Sequence, residues 1–279
     1  MLVTLWEYKD VIWGLQQNWK QYYHIWSEPK KTGGRRWIHA PQGRLKELQR
    51  ALLPVLTSYP LHPAARAYLP GSGNHIKVVQ EHHDFGQGRA WWFEADIKDF
   101  FGHVTKKMLL QAGLPKSLVQ VITVLHPRRG WVLPQGSPTS PAAANLVLRD
   151  FDQALEESLP PGSLYTRYAD NLGISLLTPV PYRELRRLVQ RLLARYGFQA
   201  NQDKFRYVPP GHGQVYLGVR LDNSGGVSLP RRYAVNRLRS KLYHLRKGDT
   251  SQASADGMVN YLKQVNLEQY QQEKQRHGF

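Results

Sequence analysis

Two acidic segments decide the fold of this chain: Phe93-Glu-Ala-Asp-Ile-Lys-Asp-Phe-Phe101 and Tyr165-Thr-Arg-Tyr-Ala-Asp-Asn171. The first is rich in aromatic residues and predicts a strand that ends in acids, with Glu94 and Asp96 on the same face. The second predicts two short strands joined by a tight turn at Asp170. Carboxylates at adjacent strand ends can bridge two Mg²⁺ ions about 4 Å apart. Together the segments predict a metal site at the edge of a sheet.

Each segment has a simpler interpretation when it is considered alone. Asp170-Asn171 is typical of an Asx-rich hairpin turn. Asp99 is equally compatible with a helix cap. The metal-site interpretation therefore depends on what accompanies these acids along the chain.

Helices and strands mix along the rest of the chain without the regular alternation of a doubly wound sheet. Helices are predicted at residues 44–57, 142–155, 183–196, 231–247 and 256–275, and residues 105–126 are predicted to be mainly helical with an interruption around Gly113-Leu114-Pro115. Strands are predicted at residues 36–39, 90–97, 215–220 and 226–229, with a pair at 165–176 and a loop at 131–141. The clearest helix sets an apolar stripe against Arg183, Arg186, Arg187, Arg191 and Arg195. This mixture predicts an α+β fold in which helices back an antiparallel sheet.

The composition favours an anionic partner. Lysine and arginine total 38 against 21 acidic residues, which gives a net charge of +17. Its spread over the whole chain favours a nucleic-acid channel over a basic tail, whereas generic solubility is the simpler alternative. A membrane partner is not expected, because the sequence has no isolated basic amphipathic helix and no run of roughly 18 apolar residues. The chain has no cysteine, which fits a reducing cytosol, so a cytoplasmic protein is expected.

The acidic segments lie within a series of motifs that resembles the reverse-transcriptase family, especially its bacterial retron and group II intron branches. Residues 93–101 are similar to the family's first palm motif, and residues 165–170 to its catalytic hairpin. The other similar stretches are Pro29-Lys-Lys-Thr-Gly-Gly-Arg-Arg-Trp-Ile38 in the fingers, Leu133-Pro-Gln-Gly-Ser-Pro-Thr-Ser-Pro141 in the second palm motif, Gly197-Phe-Gln-Ala-Asn-Gln-Asp-Lys204 in the lysine motif and Tyr216-Leu-Gly218 in the primer grip.

The resemblance implies a right-hand polymerase with fingers at residues 1–90, a palm at 91–228 and a small helical thumb at 229–279, with 105–132 packing against fingers or palm. The implied function is RNA-directed DNA polymerase, a nucleotidyltransferase that adds dNTPs to a primer 3′-hydroxyl by two-metal catalysis. Mg²⁺, or Mn²⁺ in its place, is the implied cofactor. The implied partners are an RNA template and a DNA or RNA primer, with a dedicated non-coding RNA as a further candidate.

The resemblance also implies individual roles. Asp96 and Asp170 are the catalytic metal ligands, with Asn171 beside them. The residues implied to contact the dNTP are Lys30, Arg36, Phe101 as a steric gate against the ribose 2′-hydroxyl, Gln135, Gly136 and Lys204. The residues implied to contact primer or template are Gly218, Arg237 and Lys241. Lys31 and Arg35 leave the assignment of the triphosphate contacts open by one position.

One departure concerns the hairpin, where the family normally carries two aspartates and this chain reads Asp170-Asn171. Three outcomes remain open: ordinary activity, altered metal preference, or a weakened enzyme retained as an RNA-binding scaffold. Untemplated or protein-primed DNA synthesis is a further alternative. Asn74-His75 and Tyr216-Leu217 also depart from typical retron motifs, which leaves a defence-associated bacterial enzyme beside the retron-like one.

Overall fold

The computed structural model of the protein describes residues 6–30, 33–69, 74–222 and 226–277. The strands are β1 (Tyr23–Pro29), β2 (Arg35–Pro41), β3 (Trp91–Asp96), β4 (Val124–His126), β5 (Gly130–Val132), β6 (Ser163–Tyr168), β7 (Asn171–Leu176), β8 (Arg206–Val208), β9 (Gln214–Tyr216), β10 (Val219–Asp222) and β11 (Gly226–Ser228). The helices are α1 (Lys9–Asn18), α2 (Gly43–Ala51), α3 (Leu53–Thr57), α4 (His75–Gly86), α5 (Phe100–His103), α6 (Lys106–Gln111), α7 (Lys116–Ile122), α8 (Ser140–Val147), α9 (Arg149–Ser158), α10 (Tyr182–Arg195), α11 (Leu238–Arg246), α12 (Gln252–Val265) and α13 (Leu267–His277). None of the helices in this described part has the length and apolar character that crossing a bilayer requires.

A four-stranded antiparallel sheet in the order β6-β7-β3-β8 forms the centre of the molecule. Both acidic segments contribute to it, because β3 ends at Asp96 and the turn between β6 and β7 contains Asp170. In the register of β3 and β7, Asp96 lies opposite Asn171. The prediction of an α+β fold with an antiparallel sheet is confirmed by this arrangement.

The two faces of the central sheet are covered by different apolar clusters. Phe93, Ala95 and Ile97 belong to the larger cluster, which also contains side chains of α8, α9 and α10. Trp92 belongs to a second cluster with Tyr216 and with apolar residues of α4, β10, β11, α11 and α12. Side chains along β3 therefore alternate between two cores, as the period of a strand requires.

A short hairpin replaces the end of the helix predicted over residues 105–126. α7 ends at Ile122, and the chain continues as β4, which pairs with β5. Thr123 is β-branched and takes an extended conformation, and Pro127 disfavours a helical residue before it. The sequence pattern missed this hairpin because each strand has only three residues.

The strand predicted over residues 215–220 is also wrong, because this stretch contains a tight turn. β9 and β10 pair as a hairpin around Leu217, with φ of 51°, and Gly218, with φ of 84°. Two successive positive φ angles are the mark of a type I′ turn. Leucine is uncommon at such a position, so the apolar stretch looked like one strand. The helices predicted over residues 44–57, 142–155 and 256–275 are each split into two.

A completely buried ion pair lies beneath the turn of the acidic hairpin. Arg167 donates from Nη2 and Nε to the Asp152 carboxylate, at 2.7 and 2.8 Å, and the Tyr165 hydroxyl donates to the same carboxylate at 2.7 Å. The third guanidinium nitrogen of Arg167, Nη1, donates to Asn145 Oδ1 at 2.9 Å and to the Ala169 carbonyl at 3.2 Å. The pair thus ties α8 and α9 to the residue that precedes Asp170.

We expect Asp152→Asn to lower the free energy of unfolding by about 3–5 kcal/mol, because it leaves the Arg167 charge buried without its counter-ion. The exposed pair of Arg149 and Asp150 on the same helix provides the matched control. Asp150→Asn should cost less than about 1 kcal/mol. Chemical denaturation of both variants measures the difference, and equal losses would contradict a structural role for the buried pair.

His82 is a second buried polar group at the central sheet. Its ring nitrogens lie 2.9 Å from Ser175 Oγ and 2.7 Å from Thr166 Oγ1. Burial, reinforced by the positive charge of Arg66, lowers the pKa of His82 to about 3. The ring is therefore neutral in the folded protein at physiological pH.

We expect His82 to make the folded protein less stable as the pH falls below about 6.5, its ordinary pKa. From there toward the folded pKa, the unfolded chain binds a proton that the folded chain excludes, which contributes up to about 1.4 kcal/mol per pH unit. His82→Gln should lack this component. Denaturation of both proteins between about pH 7.5 and 5.5 measures it, and an identical pH dependence would contradict the assignment.

Candidate active site

The two aspartates meet at one end of the central sheet. Asp96 is the last residue of β3 and is 4% exposed. Asp170 lies in the two-residue turn between β6 and β7, and its carbonyl accepts a 2.8 Å hydrogen bond from the Ile97 amide. Ala169 begins this turn with φ of 58°, a conformation in which a side chain is strained and glycine is usual. The fold therefore holds both carboxylates on the floor of the same cleft.

The charges at this end of the sheet repel one another. Burial and the nearby charge of Asp96 raise the pKa of Asp170 above its ordinary value. Burial raises the pKa of Glu94 to about 7, partly offset by Arg206 and reinforced by Asp96. One oxygen of Glu94 is buried without a hydrogen-bond partner, with the Arg206 guanidinium 4.0 Å away. Glu94 does not line the cleft, so Asp96 and Asp170 are the residues of this cluster whose oxygens fit a divalent cation there, for which oxygen is the preferred donor.

Asn171 contributes differently from a second hairpin aspartate. Its side-chain nitrogen lies 3.2 Å from Asp170 Oδ1, so the amide donates to the carboxylate beside it. Among the described residues, no group of three or more His, Cys, Asp or Glu side chains is placed to hold a metal ion. The side-chain donor set therefore rests on Asp96 and Asp170, and a role for the Asn171 oxygen remains a prediction.

Two residues of the lysine motif hold Asp96. Lys204 Nζ lies 2.6 Å from Asp96 Oδ2 and forms an ion pair with it. Asn201 donates its backbone amide to the Asp96 carbonyl at 2.7 Å and its side-chain amide to Oδ1 at 3.3 Å. Sequence reasoning singled out Lys204 but not Asn201, which lies three residues before it in the same motif.

A cleft of about 1260 Å³ lies above the aspartates. The predicted dNTP residues that line it are Lys30, Arg36, Phe101, Gln135 and Lys204. Arg35, on the other face of β2, donates instead to the Ser27 hydroxyl and carbonyl at 2.6 and 3.0 Å. The structure thus places Arg36 rather than Arg35 in the cleft, and Lys31 lies outside the described residues.

Gly136 does not line the cleft itself, but it supports Gln135, which does. Its φ is 104°, and a Cβ there would lie 2.9 Å from Ile38 Cγ2. The preceding carbonyl, of Gln135, accepts a 2.7 Å hydrogen bond from the His39 amide. The absence of a side chain therefore lets the loop before α8 pack closely on β2, which holds Gln135 beside the hairpin of β1 and β2.

Asp99 lies at the other end of the first acidic segment. Its carboxylate pairs with Arg129 Nη1 at 2.6 Å, and the same nitrogen donates to the Gly102 carbonyl at 2.9 Å. Asp99 precedes α5, but its side chain caps no backbone amide there. The residue therefore connects the turn after β3 to the hairpin of β4 and β5.

The predicted primer and template residues lie apart from the cleft. Gly218 is in the turn between β9 and β10, and Arg237 and Lys241 line a separate groove of about 700 Å³ beside α11. The Tyr216 hydroxyl donates to the Asn171 carbonyl at 3.3 Å, which connects the first of these elements to the acidic hairpin.

Tyr68 lines the cleft although sequence reasoning did not identify it. Its φ is 61°, an uncommon conformation for a bulky side chain and one that concentrates at functional sites. Burial, together with Asp170 and Tyr168, raises the pKa of its hydroxyl. No local pattern signals this residue, because the strained conformation becomes visible only in three dimensions.

Comparisons with known proteins agree with this geometry. The family model described as reverse transcriptase (RNA-dependent DNA polymerase) matches residues 28–221. The chain is 32% identical over 275 residues to the retron Mx65 reverse transcriptase of Myxococcus xanthus, covering 89% of this chain and 62% of that protein. It is 32% identical over 266 residues to the retron Mx162 reverse transcriptase of the same organism, covering 81% and 53%. The chain thus spans between half and two thirds of these relatives.

Solved structures share the fold at low sequence identity. Telomerase from Candida albicans, in complex with a TWJ fragment of telomeric RNA, matches with a TM-score of 0.54 and 12% identity, over 90% of this chain and 54% of that one. Telomerase from Candida tropicalis, also with a TWJ fragment, matches with a TM-score of 0.51 and 11% identity, over 95% and 57%. These matches confirm the right-hand polymerase fold. Since the matching family model covers more than half of the chain and includes both aspartates and the cleft, the chain belongs to the reverse-transcriptase family.

Proposed function

We propose that this protein is an RNA-directed DNA polymerase that adds dNTPs to a primer 3′-hydroxyl, as a retron-like bacterial reverse transcriptase. The observation that carries the proposal is that Asp96 and Asp170 line the same cleft as Lys30 and Arg36. Paired carboxylates suit a metal-assisted displacement, and fixed cations in the same cleft suit a triphosphate.

Members of the family use divalent metal ions, and we propose Mg²⁺, with Mn²⁺ as a substitute, held by Asp96 and Asp170. When bound, the ion would activate the primer hydroxyl and neutralise charge on the triphosphate and its leaving group. Asn201 orients Asp96 through two hydrogen bonds. Arg167 orients the residue before Asp170. The chain's own contribution is thus to hold two oxygen ligands in fixed positions.

The walls of the cleft would select and position the nucleotide. Lys30 and Arg36 would bind the triphosphate, and Lys204 would lie near the leaving pyrophosphate. Phe101 is half-buried and lines the cleft, with its ring centroid 5.0 Å from that of Phe100. A ring at this place would crowd a ribose 2′-hydroxyl.

We propose an RNA template and a DNA or RNA primer as the nucleic-acid partners, with a dedicated non-coding RNA as a further one. Similarity to the Myxococcus xanthus retron enzymes supports the retron-like assignment, and a defence-associated role remains within the proposal. The scaffold alternative is favoured by one observation, the amide of Asn171 in place of a third carboxylate.

Primer extension on poly(rA)/oligo(dT) tests the catalytic role of the aspartates. We expect Asp96→Ala and Asp170→Ala to lower the rate at least about a thousand-fold, or about 4 kcal/mol of transition-state stabilisation. Asp150→Ala, which removes an exposed carboxylate of α9, should leave the rate unchanged. If wild type extends no primer in Mg²⁺ or Mn²⁺ but still binds RNA tightly, the scaffold alternative replaces the polymerase.

The same assay measures the effect of the missing hairpin aspartate. Asn171→Asp adds a negative charge beside Asp170, so we expect half-maximal activity at a lower Mg²⁺ concentration and a smaller advantage of Mn²⁺. An unchanged metal dependence would show that residue 171 lies outside the metal's coordination sphere.

Phe101→Ala tests sugar selection. Removing the ring should raise rNTP incorporation relative to dNTP incorporation by about ten-fold or more, equivalent to at least about 1.4 kcal/mol. Phe101→Tyr keeps the ring and should retain the selectivity. Single-nucleotide extension with dTTP and UTP gives the ratio, and equal ratios in all three proteins would contradict the steric role.

A further inference from the structure

The exposed side of α10 carries a row of arginines. Arg183, Arg187, Arg191 and Arg195 recur at every fourth position and are all exposed. Side chains four residues apart are neighbours on a helix surface, and a rise of 1.5 Å per residue separates the first from the last by about 18 Å. These four residues are called the arginine row below.

The protein itself does not neutralise this row. Among the described residues, none of the four forms an ion pair, and Arg195 instead lies with its guanidinium 5.8 Å from the Tyr196 ring centroid. Exposed acids lie on α10 itself (Glu184) and on the neighbouring α9 (three residues), but in the described part of the chain none of them forms an ion pair with an arginine of the row. Like charges at this spacing destabilise a helix. An external anion would offset that repulsion.

The arginine row lies beside the polymerase cleft. Gln190 and Ala194 line the cleft, and each directly precedes an arginine of the row. Gln190 and Arg186 both donate to Gln202 Oε1 at 2.8 Å, which fixes this helix to the lysine motif at the cleft rim. A polyanion that extends beyond the cleft can therefore continue along the row without leaving the protein surface.

The chemistry of the helix favours nucleic acid over a lipid or protein partner. Its apolar side chains pack against the larger cluster, with Leu185, Val189 and Leu193 buried and Leu188 partly buried, so the side that carries the arginines offers little apolar surface to a membrane or a protein interface. The exposed side offers arginines, which bind phosphate bidentately. A nucleic-acid strand carries one charge per about 3.4 Å along its helix axis, so 18 Å of arginine row matches about five phosphates.

We propose that the arginine row binds the phosphodiester backbone of RNA at a second contact outside the polymerase cleft. The RNA is the template strand continuing beyond the cleft, since Gln190 and Ala194 of the same helix line the cleft. Binding at the arginine row requires no catalysis, so it is tested separately from the reaction proposed above.

The test compares Arg183→Gln/Arg187→Gln/Arg191→Gln with a control that removes three exposed cations elsewhere, Lys46→Gln/Arg50→Gln/Lys107→Gln. Fluorescence anisotropy of the full chain is measured with three probes across a salt series. The probes are a short blunt RNA–DNA hybrid, the same hybrid with a long single-stranded RNA template overhang, and an RNA hairpin without primer. Primer extension on a template with a minimal overhang is measured in parallel.

We expect the row variant to bind the overhang probe about ten-fold more weakly than wild type, with a salt slope smaller by about two. The control variant should bind as wild type, and extension on the minimal overhang should be unchanged in both. Loss confined to the hairpin would overturn the template assignment and indicate a separate folded RNA instead. Binding of both RNAs by the row variant at the level of the control overturns the proposal, whether or not the cleft is catalytic.

Discussion

The buried ion pair of Arg167 and Asp152 is the constraint on which the geometry of the cleft depends. Burial alone would lower the pKa of Arg167, but the Asp152 carboxylate outweighs burial and raises it. A buried pair contributes little net stability unless its remaining hydrogen-bonding groups are satisfied. Here Asn145 and the Ala169 carbonyl accept from the third guanidinium nitrogen. The hydrogen bonds that offset the cost of desolvating the two charges therefore also fix the position of Ala169, and with it that of Asp170.

The end of the sheet that carries this turn has charges of both signs. A protein with a net charge of +17 concentrates carboxylates at one end of its central sheet and surrounds them with cations. Asp96 pairs with Lys204, and Glu94 lies 4.0 Å from Arg206. Asn171 adds a hydrogen-bond donor where another aspartate would add repulsion to Asp170. The hairpin thus carries less negative charge than the family pattern, within walls that favour a polyanion.

The sequence was most informative where chemistry and period coincide. The aromatic-rich stretch that ends in acids and the turn at Asp170 predicted the two central segments, and the arginine-flanked stripe predicted α10 to within about a residue. The hairpin of β4 and β5 was missed because three residues carry too little period. Arg167, on strand β6, gave no sign of burial, since its counter-ion lies fifteen positions earlier on helix α9. Tyr68 and Asn201 depend on neighbours that only the tertiary fold brings together.

The acidic hairpin is held from its second side by the C-terminal part of the chain. Tyr216, buried in the second core, donates to the Asn171 carbonyl. The His75 and Tyr168 rings form an edge-on contact, with their centroids 6.3 Å apart. His75 Nε2 lies 2.7 Å from the Tyr261 hydroxyl of α12. The turn that carries Asp170 is therefore fixed by Arg167 on one face and connected to α12 on the other. Tyr168, two residues before Asp170, thus connects α12 to the turn that carries Asp170 through contacts that lie outside the cleft.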